Sequence, residues 1–188
     1  MKHLVFVIMM SLALCVGAQN ADKLYEQGKK LYDAKQYTQA IAKLKPAAEK
    51  GHKKAQYRLG RCYDKGNGVP ENDKKAFYWY SKAAAQGHAK AQYQVGKSYK
   101  SGKGVEKNIT KAVEYFTKAA KQDNADAQFA LGKCFLKGKG VPADKSRAKA
   151  LIKKAVKNDK EGKEILKRLR KDASAGDEDA KAILALIK

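Results

Sequence analysis

Four pairs of residues offer the clearest chemistry in this sequence: Tyr25 with Lys29, Tyr57 with Arg61, Tyr93 with Lys97, and Phe129 with Lys133. A spacing of four puts an aromatic ring and a cation side by side on one face of a helix. Repeated, such pairs form parallel rows, one able to attract carboxylates and the other to supply flat contact area. Lys65, Lys100 and Lys137 thicken the cationic row, while Asp33, Asp64 and Asp126 interrupt it. The chemistry on offer is binding rather than turnover.

Other candidates fare worse. Ser146-Arg147-Ala148-Lys149 has the S-x-x-K spacing of penicillin-interacting serine enzymes, but the S-D-N and K-T-G strings that complete that site are absent. Ser146 shares its register with Thr110 and Lys74 at the start of a helix, which points to N-capping. The strings G-N-G-V and G-K-G-V lack the G-x-x-x-x-G-K-[ST] order of a phosphate loop and follow a helix, not a strand. They read as helix C-caps. His52 and His88 each follow a glycine, and a metal site needs three or four converging ligands; they read as solvated loop histidines. Cys62 and Cys134 are too far apart in the repeat for the ~7 Å Cα separation of a disulfide, and read as small buried thiols. No catalytic residue, no metal and no cofactor is expected.

Charge and length bound the rest. The 188 residues carry 41 Lys+Arg against 19 Asp+Glu, a formal net charge of +22, which favours anionic partners and opposes self-association. At 44% hydrophobic, the chain has enough apolar surface to fold. Residues 1–18 open with a basic M-K-H, continue through the apolar L-V-F-V-I-M-M-S-L-A-L-C-V and end at Val16-Gly17-Ala18, the layout of a secretory signal peptide cut before Gln19. A retained anchor would need about 20 apolar residues, more than this stretch supplies. Lipid attachment at Cys15 is disfavoured by the large Leu14 just before it. An exported protein, periplasmic or extracellular and without stable membrane insertion after cleavage, is the expectation.

The positioning elements follow from a repeated phrase. LGRCYDKGNGV at 59–69 returns as VGKSYKSGKGV at 95–105 and as LGKCFLKGKGV at 131–141, a fixed period of thirty-six. Aligned on Ala55, Ala91 and Ala127, the blocks 55–90, 91–126 and 127–162 each parse as two helices, and such self-similarity marks a repeat architecture. Ala55, Leu59 and Tyr63 share one face of a first helix. Gly66, Gly102 and Gly138 stop it, and Gly68, Gly104 and Gly140 complete the turn. The second helix begins near Asp73 and presents Ala76, Trp79, Tyr80 and Ala83 at helical spacing. Gly60, Gly96 and Gly132 lie inside the first helix, where glycine costs about 1 kcal/mol against alanine; their recurrence points to a close helix–helix approach.

The pattern A-x-x-x-L-G-x-x-Y-x-x-G-x-G-V, followed by K-A, an aromatic and K-A-A-x-x-G, resembles the Sel-one-like repeat, a relative of the tetratricopeptide repeat. Residues 19–54 resemble one ordinary tetratricopeptide unit, with Gly28 and Ala40 twelve apart and Tyr37 opening its second helix. Residues 163–188 depart from both patterns and read as two capping helices whose polar face would close the stack. The resemblance implies an all-α right-handed α-α superhelix, a solenoid of helix-turn-helix repeats. It also implies a role in protein–protein interaction and a concave groove lined by the first helices. The aromatic and cationic rows would face that groove. Some exported bacterial members carry a cysteine pair in each unit and have been linked to β-lactam binding; this chain lacks the pairs.

Two readings of the rows stay open. In one, the aromatics are partly buried repeat residues and the lysines a solvated face of a basic protein. In the other, they bind an extended acidic peptide or protein. A general polyanion binder (envelope polymer, anionic membrane surface or nucleic acid) is the alternative function; a cell-wall or β-lactam-related enzyme is a remote one. Nucleic acid is disfavoured because export removes the protein from it and lysines are spread along the chain rather than gathered in one patch. The sequence leaves the oligomeric state open.

Overall fold

The computed structural model describes residues 19–157 and 159–188; the leader and Cys15 lie outside the described residues. Among the described residues there are ten helices and no strand, the all-α helical-repeat class expected. They are α1 (19–33), α2 (Tyr37–Glu49), α3 (Lys53–Lys65), α4 (Asp73–Ala85), α5 (Ala89–Ser101), α6 (Ile109–Ala120), α7 (Ala125–Lys137), α8 (Lys145–Lys157), α9 (Asp159–Ser174) and α10 (Glu178–Ile187). The chain divides into two compact units: the described residues through Ala91 with Lys103–Val105, and Gln92–Gly102 with Glu106–Lys188.

Each of the six helices α3–α8 starts on a side chain that accepts one of the N–H groups a helix leaves unpaired at its beginning, whereas α2 has no such side-chain bond. For the second helices these are Asn72 (from Lys75 N–H, 2.8 Å), Asn108 (from Lys111 N–H, 2.9 Å) and Asp144 (from Arg147 N–H, 2.8 Å). Ser146, expected as the cap, lies one residue inside α8, because Asp144 already fills that role. For the first helices the acceptors are Nδ1 of His52 (Ala55 N–H, 3.1 Å), Nδ1 of His88 (Ala91 N–H, 3.2 Å) and Oδ1 of Asn124 (Ala127 N–H, 2.9 Å). The two histidines are therefore not solvated loop residues. They are helix caps, and the His52 side chain is only 13% exposed.

In the first unit the core runs between Tyr32, Ala40, Leu44, Ala47, Leu59 and Cys62. The helical glycine Gly60 makes room for a neighbour: a Cβ there would lie 2.6 Å from the Tyr80 ring. In the second unit Ala112, Phe116, Leu131 and Cys134 form one cluster, and Phe129, Ile152, Ile165, Leu169 and Ile183 form another through which α9 and α10 close against α7 and α8. Gly96 and Gly132 repeat the notch, with a Cβ 2.6 Å from Phe116 and 2.6 Å from Ile152 respectively.

Two further devices recur at the period. The second glycine of each turn, in the left-handed region at φ near +73°, lies on the opening residue of the second helix of the preceding repeat: Gly68 on Tyr37, Gly104 on Asp73, Gly140 on Ile109. Gln56, Gln92 and Gln128 are buried polar side chains one residue beyond the aligned alanines. Gln56 Nε2 donates to Ala48 O at 3.0 Å and Gln128 Nε2 to Ala120 O at 3.3 Å, so a first helix is tied to the end of the second helix before it. Gln86 Nε2 donates to Gln56 Oε1 at 2.8 Å, and Gln122 Nε2 to Gln92 Oε1 at 2.7 Å.

Candidate ligand-binding site

In the first unit the aromatic residues of the row are engaged within the fold. Tyr25 is 7% exposed and stacks on His52 with ring centroids 4.3 Å apart, and Tyr57 stacks on His88 at 4.6 Å. The imidazoles thus cap one helix and pack against the preceding first helix. The cations beside these rings are drawn to local carboxylates: Lys29 to Glu26 at 3.8 Å and Lys65 to Asp64 at 3.4 Å. Arg61 lies over the Tyr32 ring at 5.6 Å, joined there by Arg58 at 5.1 Å. Arg58 also pairs with Asp33 at 3.2 Å. Arg58, Tyr32 and Asn67, whose Nδ2 donates to the Tyr32 hydroxyl at 3.4 Å, were not singled out by spacing because they stand off the four-residue rows.

The second unit is different. Tyr93 is half-buried, its hydroxyl pushed up to about 12 by burial, and Lys97 lies over its ring at 5.7 Å. Phe129 is 8% exposed, with Lys133 at 5.8 Å and Arg168 of α9 at 5.9 Å from its ring. Lys100, Lys133 and Lys137 come together around one cavity of about 190 Å³, with Lys139 from the following turn as a fourth ammonium. Its inner lining is Ile109, Ala112 and Phe116 of α6 and Cys134 of α7. Lys137 is paired with Asp179 of α10. Lys133 is held below the ordinary lysine range, first by burial and then by the like charges of Lys100 and Lys137. A second cavity of about 210 Å³ is also lined by Lys133, together with Phe129, Arg168, Asp172 and Asp177.

The structure thus brings together the cations at 100, 133 and 137 and leaves the aromatic rings largely occupied by the fold. Lys139 was missed because it sits in the turn string read only as a C-cap. The apolar lining was missed because Ile109 and Phe116 read as ordinary second-helix core. Cys62 and Cys134 are both free and buried, and burial pushes the Cys62 thiol up to about 11. Among the described residues no three His, Cys, Asp or Glu side chains converge as metal ligands, and no helix is long and apolar enough to cross a membrane.

Comparison with known proteins places this geometry. The Sel1 repeat family model matches residues 53–88, 89–124 and 125–160, the period found from the alanines, begun two residues earlier. Among solved structures, a Sel1 repeat protein from Oxalobacter formigenes is 38% identical with a TM-score of 0.68, over 71% of this chain and 53% of that one. The protein c5321, a protective antigen present in uropathogenic Escherichia coli strains and displaying an SLR fold, is 30% identical with a TM-score of 0.71, over 85% of this chain and 39% of that one. Helicobacter pylori cysteine rich protein B is 27% identical with a TM-score of 0.51, over 73% of this chain and 96% of that one. The chain therefore spans about half the length of the first of these and about two fifths of the second. No curated protein matches the chain significantly.

Proposed function

Since this chain belongs to the Sel1 repeat family, we propose that it is an exported, non-enzymatic interaction adaptor that holds an acidic peptide or protein on the cations of its first helices. Sel1 repeats in general serve protein–protein interaction, which supplies the coarse role. The finer reading rests on one observation: among the described residues Lys97, Lys100 and Lys133 of the second unit form no ion pair, and Lys133 is held below the ordinary lysine range by burial and then by Lys100 and Lys137, with Asp179 and Asp177 offsetting this only in part. An arriving carboxylate relieves that repulsion as well as adding its own attraction, so the gain exceeds that of an isolated surface pair. The leader at 1–18 supports export to the periplasm or beyond, where the acidic partner would be met.

The test is a binding assay on the mature protein with an acidic-peptide array beside a heparin column. Capture of particular acidic peptides, weakening steeply between roughly 50 and 500 mM salt as charges are screened, is the expected result. Lys97→Glu with Lys133→Glu should lower affinity for a captured peptide at least tenfold, about 1.4 kcal/mol. Equal retention by every polyanion would replace this reading with the general polyanion binder.

A further inference from the structure

We infer that the acidic segment bound by the second unit carries one compact apolar side chain flanked on both sides by carboxylates, and that this side chain enters the cavity framed by Lys100, Lys133, Lys137 and Lys139. This inference rests on the acidic-partner reading above and adds the sequence class of the partner.

The cavity is amphipathic. Its rim is four ammonium groups, and its wall is Ile109, Cys134 and the methylene stems of the lysines, with Ala112 and Phe116 sealed behind at 0% exposure. A purely charged ligand would meet the rim and leave the apolar wall wet. A purely apolar one would bury the wall beneath cations of which Lys137 is paired, with Asp179. An apolar side chain between carboxylates satisfies both. The size fits: about 190 Å³ is the space of about six water molecules, suited to one aliphatic side chain and too small for an extended acyl chain. No stacking platform for a base is offered, because Phe116 lies beneath the surface and not on it.

The combination belongs to one register of the repeat. One period earlier, Lys133, Lys139, Ala112 and Phe116 have counterparts in Lys97, Lys103, Ala76 and Tyr80, but the positions of Lys100, Ile109, Cys134 and Lys137 are held by Asp64, Asp73, Ser98 and Ser101. The sequence thus concentrates cations and apolar side chains at the positions of this cavity beyond what the preceding repeat carries at the matching ones. Lys137, held by Asp179, marks the edge where a ligand carboxylate would compete.

The experiment uses the full mature chain and three labelled peptides of equal length, followed by fluorescence anisotropy at about 100 mM salt. One has glutamates around a central leucine, one the same glutamates around a central glycine, and one glutamines around leucine. In parallel, the same peptides are titrated against Ile109→Ser, a variant of the half-buried apolar wall. Expected are roughly tenfold tighter binding of the glutamate–leucine peptide than of the glutamate–glycine peptide, little binding of the glutamine peptide, and loss of the leucine preference in Ile109→Ser. Equal binding of the two glutamate peptides overturns the inference and leaves the acidic-partner reading standing; failure of both to bind overturns the two together. An undiminished preference for leucine in Ile109→Ser overturns the assigned cavity. Displacement of the leucine peptide by anionic phospholipid vesicles at matched charge would give the site to a lipid surface and overturn it as well.

Discussion

A Cβ added at Gly96 would stand 2.6 Å from a ring carbon of Phe116, a side chain with 0% exposure and no room to retreat. Alanine is the better helix former by about 1 kcal/mol, but overpacking a tight contact costs about 1–3 kcal/mol. Gly96→Ala is therefore expected to lower stability by about 1 kcal/mol, read as a reduced urea midpoint with an unchanged slope. The capping histidines make a second residue-scale prediction. Each accepts a backbone N–H through Nδ1, so protonation there removes the cap. Burial comes first in holding both below the ordinary 6.5, offset at His52 by Asp22 and reinforced at His88 by Lys53. The unfolded chain thus takes up protons first as the pH falls below 6.5, and stability declines from there down through the folded-state values. Melting temperature should drop between about pH 7 and 5, and His52→Asn with His88→Asn, which copies the Asn124 cap, should flatten that slope. These roles were half legible. A histidine recurring with the period announced a shared function, but imidazole is an unusual cap, and only Asn124 at the same register hinted at what the function was.

At the scale of the element, the buried glutamines do what side-chain packing alone could not. The carbonyls at the end of a second helix lack partners within that helix; Ala48 and Ala120 accept from the Gly51 and Asp123 N–H groups of the following turn, and Gln56 and Gln128 add a second donor from the next helix. Gln128→Leu should remove that bond and leave the Ala120 carbonyl with the Asp123 N–H alone, at 3.1 Å, lowering stability by about 0.5–1.5 kcal/mol, measured by chemical denaturation. An exposed neighbour such as Lys121→Leu should change it by less than about 0.5 kcal/mol. The helices themselves were readable because each boundary carries a local signal, a glycine in the left-handed region or an Asn/Asp acceptor, at a spacing the chain writes three times. The glutamine ties were written as plainly, in the A-Q pairs of each repeat. They went unread because a polar residue near a helix start is taken for surface until its neighbours are known.

For the whole molecule, a net charge of +22 creates an attraction for any anion, and the specific site must be separated from it. A charge-matched control does so. Lys149→Glu with Lys163→Glu changes the net charge as much as Lys97→Glu with Lys133→Glu, at exposed positions away from the cavity. It should alter affinity for an acidic peptide by no more than about twofold, a fraction of a kcal/mol, against at least tenfold for the site pair, by titration at a single salt concentration. The cationic row could be read from the sequence, but which lysines lack partners could not. That depends on Asp179, more than forty residues beyond Lys137, and on the hollow behind Lys133. The turn glycines carry a last implication. Gly68, Gly104 and Gly140 each sit on a residue thirty-one positions upstream, so the mould for every loop is supplied by its predecessor. Losing or gaining a few residues would leave a loop without its mould, whereas cutting out or duplicating a full thirty-six hands it an equivalent one; descendants of such a gene are constrained to change length in whole modules.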